Sequence, residues 1–343
     1  MKLAIVKLSA LGDIVHAMVA LQFIKQQLPN SEIDWLVEAH FADLLAHNPD
    51  INRVLPIHLK ALKKKPTQFV KQFTTLKRYQ QHNYDLVIDA QGLLKSAITA
   101  RLLSSQLAGF NAQSIREKAA SWFYKTTVDA AYDANTIDRN AKVLAEPLGF
   151  TITQHDIITK QAFLFFAPPA VDFSLYLHPK KKNIIFVIGS TWPSRNYPAA
   201  KFVTVAEDLQ QHCLVIWGNK WEFDTATWMA TQSKFIHVMP KLTLNDLKAL
   251  IAHADLLIGN DTGPTHIAWG LNKPSITLFG PTPISRVYQT NINKVLKSSS
   301  IVNPYRLNKD DFSIADISEK NIIDMAIQLL AAKEPTVGAL PPA

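Results

Sequence analysis

An aspartate directly follows a glycine in the segment KLSALGDIVHAM, between an apolar strand-like run and an amphipathic segment of helix length. Asp13 therefore stands at the start of a helix, where its carboxylate can cap free N–H groups and is favoured by the helix dipole. The same dipole keeps the carboxylate ionised, as a general base requires. Asp13 is thus either a cap or a proton acceptor, and Gly12 would let a substrate approach the backbone.

A second polar loop, DAQGLLKSA, follows another strand-like run. It places Asp89, Gln91 and Gly92 at the end of the strand, and Lys95 and Ser96 in the first turns of a helix. These groups can face the same ligand as Asp13. Asp89 can equally cap its own loop, and the sequence does not separate the two roles.

A basic run, HLKALKKKPTQF, clusters Lys60, Lys63, Lys64 and Lys65 before a proline. A solvated loop is the default interpretation of such a run. Because this one follows a strand, its ammonium groups could also hold a polyanionic substrate or an acidic bilayer surface. Arg116, in SIREKAASWFY, could join them.

The stretch LLIGNDTGPTHIAWGLNKPSITLFGPT is the most specific one in the second half. An apolar strand runs into Asp261, Thr262 and Gly263, and a helix begins at Pro264. Loop amides and a helix N-terminus form an anion site suited to a diphosphate. His266 lies one turn into that helix, where a phosphate would bind, although a lone histidine can also be packed and inert.

Two further loops in this half carry polar groups after strands. GSTWPSRNYP places Ser190, Thr191 and Arg195 there, and a guanidinium offers a fork of donors to phosphate. IWGNKWEF places Glu222 just beyond another strand, where a carboxylate can accept both hydroxyls of a ribose or simply cap a helix.

Composition and motifs exclude several classes of protein. The 343 residues are 48% hydrophobic and 19% charged, which is typical of a globular chain. One cysteine, Cys213, permits no internal disulfide and favours a reducing compartment. The first loop has neither G-x-G-x-x-G nor G-K-[ST], which disfavours a dinucleotide or P-loop site. The net charge of +8 favours an anionic partner, and we expect no signal peptide or membrane span.

The elements that must position these loops occur in two series of alternating strands and helices, which predicts α/β domains with mainly parallel sheets. The first series places strands at LAIVKL, IDWLVE, RVLPI and YDLVIDA, and helices near residues 15–28, 41–46, 67–82, 93–103 and 136–148. The second places strands at NIIFVIG, CLVIWG, FIHVM, DLLIGN and SITLFG, and helices near residues 199–210, 223–232, 244–253 and 265–269.

We expect a first Rossmann-like domain at residues 1–166, a linker at 167–182 and a second Rossmann-like domain at 183–317. A helix from residue 318 to 332 and a frayed tail complete the chain to residue 343. Ligands bind beyond the carboxyl ends of parallel strands, so we expect the two domains to face each other across a cleft that holds the site.

Together, KLSALGDIVHAM, DAQGLLKSA, WGNKWE and NDTGPTHIAWGLNKPSITLFGPT resemble the lipopolysaccharide heptosyltransferases of glycosyltransferase family 9. DAQGLLKS is most similar to the heptosyltransferase I members. The resemblance implies a GT-B fold and transfer of L-glycero-D-manno-heptose from ADP-heptose to Kdo-lipid A. It also implies a cytoplasmic enzyme that is peripheral on the inner membrane.

Carried across the matching motifs, the resemblance makes Asp13 the general base. It implies that the donor is bound by Ser190, Thr191, Arg195, Trp217, Gly218, Glu222, Asp261, Thr262, Gly263 and His266. It implies that the acceptor is bound by Ser9, Gly12, Lys60, Lys63, Lys64, Lys65, Asp89, Gln91, Gly92 and Arg116. The family commonly has lysine at the position of Arg195 and arginines in the basic loop, so the detailed contacts there differ.

The expected reaction is an inverting transfer through an oxocarbenium-like state, with no metal or other cofactor required. We also expect the domains to close around the donor and the protein to be a monomer that binds no nucleic acid. The alternatives are a heptosyltransferase that adds a later heptose, a GT-B sugar-nucleotide epimerase, and a nucleic-acid-binding protein. The last is weakened because no basic helix carries interleaved aromatic residues.

Overall fold

Alternating strands and helices build two parallel sheets of six strands each, as predicted. The structure is a computed structural model that describes residues 1–62 and 66–332. It divides into a first unit, Met1–Phe165 with Ser285–Val287, and a second unit formed by Phe166–Ile284 and the residues from Tyr288 onward.

The first unit has a parallel sheet in the order β3-β2-β1-β4-β5-β6. Its strands are β1 (Lys2–Val6), β2 (Glu32–Glu38), β3 (Arg53–Ile57), β4 (Leu86–Asp89), β5 (Leu107–Phe110) and β6 (Thr126–Val128). Its α-helices are α1 (Leu11–Met18), α2 (Ala20–Gln27), α3 (Ala42–Leu45), α4 (Leu59–Leu62), α5 (Phe69–Gln80), α6 (Leu94–Arg101), α7 (Thr136–Ala145) and α8 (Gln154–Ile158).

The second unit repeats this topology in the order β12-β11-β10-β7-β8-β9. Its strands are β7 (Asn183–Val187), β8 (His212–Ile216), β9 (Ile236–Val238), β10 (Leu256–Asn260), β11 (Ser275–Phe279) and β12 (Asn293–Lys297). Its α-helices are α9 (Ala199–Leu209), α10 (Lys220–Gln232), α11 (Leu244–His253), α12 (Gly263–Gly270) and α13 (Glu319–Ala331).

Both central strands are buried on both faces, which explains their nearly continuous apolar sequences. In β1, Leu3, Ala4, Ile5 and Val6 are fully buried, and β10 reads LLIGN with every residue buried. Gly259 lies where a Cβ atom would come within 2.4 Å of Val187, so β10 and β7 approach too closely there for a side chain. Sheets covered on both faces by helices are the usual setting of all-parallel pairing.

Several element boundaries differ from those predicted. The first helix begins at Leu11 rather than near residue 15, and α1 and α2 are separated at Val19. The predicted linker, residues 167–182, is grouped with the second unit, where the amides of Ala167 and Ala170 donate to Asn245 Oδ1 and Asp246 Oδ1. The helix predicted from residue 318 supplies Ile322, Ala326 and Leu329 to the core of the same unit.

In each parallel sheet, successive strands are added first on one side of the starting strand and then on its other side. This change of side occurs between β1 and β4 in the first unit and between β7 and β10 in the second. Open α/β sheets bind ligands outside the carboxyl ends of the strands at such a switch point. A ligand site is therefore expected at the loops that follow these four strands. They contain most of the residues singled out from the sequence.

Candidate functional site

At the switch point of the first unit, the loop after β1 is fixed to the loop after β4. Gln91 Oε1 accepts hydrogen bonds from the amides of Leu8 and Ser9, at 3.0 and 3.1 Å. The Lys7 ammonium donates to the Ala90 carbonyl at 2.6 Å and to Asn140 Oδ1 at 2.9 Å. The segment that leads into Asp13 is thus held by the loop after β4 and by α7.

Asp13 lies in the first turn of α1, with a half-buried side chain. Its Oδ2 accepts a hydrogen bond from the Ala10 amide at 3.1 Å, which is the capping contact that the sequence suggested. An ionised carboxylate has acceptor capacity for further partners. Capping and proton acceptance are therefore compatible in one side chain. Half-buried Gly12 precedes Asp13 in the same turn.

Asp89 does not occupy the ligand-facing position that we expected. Its carboxylate is fully buried and accepts hydrogen bonds from the amides of Gln91 and Gly92, from Ser96 Oγ and from Tyr124 Oη. Burial raises the pKa of Asp89, an effect that these hydrogen bonds oppose. Its position fits a residue that shapes the loop, not one that contacts an acceptor.

Gly92 and Gln91 also have internal roles. Gly92 has φ of +69°, and a Cβ atom there would come within 2.7 Å of Ile115 Cγ2, so both conformation and space favour glycine. Gly92 is buried, and the Gln91 amide oxygen is occupied by the loop before Asp13. These residues build the loop that holds the segment before Asp13.

Exposed cations of the first unit lie near the ends of β2 and β4. The Lys60 amide donates to Glu38 Oε1 at 2.9 Å, and its ammonium is 3.2 Å from His40 Nε2. Burial raises the pKa of Glu38 above its ordinary value, and the nearby charges of Lys95 and Lys60 only partly offset this effect. Arg116 is exposed beside Glu117. Lys63, Lys64 and Lys65 lie outside the described residues.

At the switch point of the second unit, Asp261 is the centre of a buried polar network. Its side chain is 2% exposed, and its Oδ2 accepts from Arg195 Nη2 at 2.8 Å and from Thr282 Oγ1 at 2.9 Å. Its Oδ1 is 3.2 Å from His266 Nε2. Arg195 also donates to the Asp261 carbonyl. Asp261 was expected to contact the donor. Its carboxylate is instead buried against Arg195 and His266, which it holds in place.

The loop after β10 leads directly into α12. Thr262 is the N-cap residue, and Pro264 lies in the first turn, where its missing N–H costs nothing. Thr265 Oγ1 donates to the Asn260 carbonyl at 2.7 Å, which fixes this turn to the end of β10. The half-buried Thr262 and Gly263 therefore lie at a positive helix end on the switch point, as an anion site requires.

The loop after β7 contributes Ser190, Thr191 and Arg195. Among the described residues, no hydrogen-bond partner is found for the buried Ser190 Oγ. A buried hydroxyl without a partner is costly, which is consistent with a group that a ligand satisfies. Thr191 is exposed. The Trp192 ring lies 5.5 Å from the Arg195 guanidinium and 5.0 Å from the Lys309 ammonium.

Glu222 lies in the first turn of α10 and against the end of β7. Its Oε2 accepts from the Gly218 amide and its Oε1 from Asn219 Nδ2, each at 2.6 Å. A Cβ atom on Gly189 would come within 2.0 Å of Glu222 Oε1. Beside it, Trp217 Nε1 donates to the Met239 carbonyl at 2.7 Å. The carboxylate thus has a fixed place beside the switch point.

Comparisons with known proteins identify the family of the chain. The sequence profile of "Glycosyltransferase family 9 (heptosyltransferase)" matches residues 73–312. The chain belongs to glycosyltransferase family 9. It is 34% identical to lipopolysaccharide heptosyltransferase 1 of Campylobacter coli, over 96% of this chain and 99% of that one.

Solved structures show that this family 9 glycosyltransferase shares its fold with other heptosyltransferases. E. coli heptosyltransferase WaaC with ADP superposes with a TM-score of 0.80 at 24% identity, covering 96% of this chain and all of WaaC. WaaC with ADP-2-deoxy-2-fluoro heptose gives 0.75 at 25% identity, covering 95% of this chain and all of that one. The two six-stranded α/β units are those of a GT-B enzyme, as predicted.

Within the described residues, no group of three His, Cys, Asp or Glu side chains is arranged to hold a metal ion. No helix in residues 1–62 and 66–332 is long and apolar enough to cross a membrane.

The sequence reasoning missed three residues that position the site. Thr282 binds Asp261, Tyr124 binds Asp89, and the Asn260 side chain joins the Tyr197 amide to the Ile188 carbonyl. Thr282 stood in the quoted FGPT segment, at the end of a strand, which is a usable signal. Tyr124 is separated from Asp89 by 35 positions, and no local pattern connects them.

Proposed function

We propose that this glycosyltransferase moves L-glycero-D-manno-heptose from ADP-heptose to a Kdo hydroxyl of Kdo-lipid A. The observation that carries the proposal is the nearly full-length match to a lipopolysaccharide heptosyltransferase 1. The anion-binding turn at the second switch point supports the donor, and so does the structural neighbour bound to an ADP-heptose analogue.

The proposed donor contacts are divided among three loops. Thr262, Gly263 and the start of α12 receive the diphosphate, together with the Ser190 hydroxyl and Thr191. Arg195 and His266 face the same anion, each held on its other side by Asp261. Glu222 accepts the ribose hydroxyls, with Trp217 and Gly218 shaping that end. The donor is therefore held by groups that folding has already oriented.

In the proposed reaction, Asp13 removes the proton from the attacking Kdo hydroxyl. The oxygen forms a bond to the anomeric carbon of heptose as the bond from that carbon to the β-phosphate oxygen of ADP breaks. Attack opposite the leaving group inverts the configuration. The negative charge that builds on ADP is met by Arg195, His266 and the helix N-terminus, so this chain's own groups offset it.

Exposed cations of the first unit match the acceptor's charge. Lys60 and Arg116, with Lys63, Lys64 and Lys65, would hold its phosphates and carboxylates, beside Ser9 and Gly12 next to the base. Kdo-lipid A is embedded in a membrane. We therefore place the enzyme in the cytoplasm, peripheral on the inner membrane.

The test is a transfer assay with three acceptor arms, read by mass spectrometry of the product. We expect ADP-heptose and Kdo-lipid A to give one added heptose, with little addition to an acceptor that already carries a heptose. Preference for the heptosylated acceptor would instead indicate a later step of the core. Conversion of the donor without any acceptor would indicate an epimerase and contradict the proposal.

A further inference from the structure

The first unit carries a group of large apolar side chains that its core does not use. On α5, Phe69 and Val70 are 62% and 71% exposed, and Phe73 is exposed beside them. The rings of Phe69 and Phe73 stack with centroids 6.3 Å apart. Scattered exposed apolar residues are ordinary, but a contiguous patch marks an interaction surface.

Buried side chains of α5 anchor this helix to the end of β3. Gln72 Oε1 accepts from the His58 amide at 2.9 Å, and Tyr79 Oη donates to the Pro56 carbonyl at 3.0 Å. Leu76 is buried between these contacts. These contacts hold α5 against β3, while Phe69, Val70 and Phe73 near its start remain exposed.

A second set of exposed apolar residues lies on α6 and the short 3₁₀ helix Lys118–Phe123 that packs against it. Leu94 and Ile98 are exposed one turn apart on α6, and Trp122 is 84% exposed. The connections from β3 to β4 and from β4 to β5 run in the same direction along the strand order. Because crossovers between parallel strands are right-handed, α5 and α6 lie on the same face of the sheet.

We call these six side chains the apolar rim. They are Phe69, Val70, Phe73, Leu94, Ile98 and Trp122.

Exposed cations lie on the same helices as the apolar rim. Lys71 stands between Val70 and Phe73 in sequence, and the Lys77 ammonium is 5.7 Å from the Phe73 ring. Lys95 and Lys118 are exposed on α6 and the 3₁₀ helix. Aromatic and aliphatic side chains bordered by lysines fit the boundary between headgroups and acyl chains of an anionic bilayer.

We propose that the apolar rim inserts into an anionic phospholipid bilayer and docks the first unit on it. A second copy of the chain is a poorer occupant, because two cationic faces would repel each other. The proposal rests on the proposed function only for the source of the membrane. It adds that docking uses apolar insertion as well as charge.

The test measures binding of the full chain to vesicles that contain neither donor nor acceptor. We expect co-sedimentation with phosphatidylcholine–phosphatidylglycerol vesicles, weaker binding to phosphatidylcholine alone, and weakening by salt. F69S/V70S should lower the partition coefficient about tenfold or more, because two large apolar side chains no longer leave water. Circular dichroism and ADP binding check that the variant is folded.

The matched control is W228S/I327S, which removes two apolar side chains that are 44% and 53% exposed in the second unit. It should bind vesicles as the wild type does. Equal binding by F69S/V70S and the wild type would overturn the proposal. So would loss of vesicle binding in the control, or a change in oligomeric state on light scattering with vesicle binding retained.

A second readout places one side chain in the lipid. Brominated acyl chains should quench Trp122 fluorescence, and Trp122→Phe should remove most of that quenching while the protein still binds. Quenching that is the same in Trp122→Phe would contradict insertion at this position. Transfer of heptose to a water-soluble Kdo acceptor tests the proposed function separately, since that reaction needs no bilayer.

Discussion

Gln91 shows how one side chain can control a site that it does not enter. Its amide oxygen receives the Leu8 and Ser9 amides, two contacts that hold the segment before Asp13. Each buried amide left without an acceptor costs about 1–3 kcal/mol, so the loop depends on this oxygen.

Gln91→Ala should therefore lower the turnover number about tenfold or more while leaving ADP binding nearly unchanged. Gln91→Glu keeps an oxygen at the same place and should recover most of the loss. Steady-state kinetics and calorimetry with ADP measure the two effects. If Gln91 acts only by contacting the acceptor, the alanine variant should instead raise the KM for the acceptor alone.

Carboxylates at strand ends were easy to find in the sequence, but their roles depended on distant partners. Asp89 and Asp261 are equally good candidates for ligand contacts by position, yet both are buried by groups far along the chain. Tyr124 lies 35 positions from Asp89, and no local pattern pairs the two, whereas Thr282 stands just beyond the strand that follows Asp261. Asp13 differs because its capping partner, Ala10, lies in the same turn.

At the scale of elements, the strands and helices that were missed are the short or half-polar ones. The four residues of β5 and the three of β6 are too few to show a period, and β12 reads NKVLK, with a lysine at either side of its apolar residues. Long apolar strands such as β1, β7 and β10 were predicted within a few residues. α12 begins at Gly263, with Thr262 at its N-cap position, one residue before the start expected at Pro264.

The packing of α10 against the end of β7 supplies a test of Glu222. Gly189→Ala should push the Glu222 carboxylate away, since the new Cβ atom would come within 2.0 Å of Oε1. A flexible side chain can move, so we expect stability to change by less than about 1 kcal/mol. Affinity for ADP should fall several-fold, with the KM for the acceptor unchanged. Unaltered ADP affinity would remove Glu222 from the donor site.

At the scale of the whole molecule, one topology occurs twice, and each copy has its polar loops at its own switch point. The alternation of strands and helices was enough to predict this repetition. The sequence did not reveal which unit contains residues 167–182. Their attachment rests on side chains of α11, 75 or more positions away.

Lys160 gives the folded chain a predictable dependence on pH. It is 7% exposed, its ammonium is 5.2 Å from the Phe163 ring, and burial lowers its pKa to about 7. Between that value and the ordinary pKa of 10.5, the unfolded chain holds a proton that the folded chain lacks. The free energy of unfolding should therefore increase with pH across this range, by at most about 1.4 kcal/mol per pH unit. Below pH 7 both states hold the proton, and the contribution of Lys160 to that free energy is at its lowest.

Chemical denaturation of wild type and Lys160→Met at several pH values measures this contribution. The difference between the two proteins should shift in favour of the wild type as the pH increases from about 7 to 10. A difference that is independent of pH would show that the Lys160 ammonium stays charged in the folded protein.

In the proposed reaction, Asp13 accepts the proton of the attacking hydroxyl. Asp13→Asn separates this role from capping, because the asparagine oxygen can still accept the Ala10 amide and preserve the cap. With ADP-heptose and Kdo-lipid A, we predict about a 10²- to 10⁴-fold loss of heptose transfer, with binding of ADP-heptose unchanged in calorimetry. Transfer near the wild-type rate would show that Asp13 is only a cap and is not the proton acceptor.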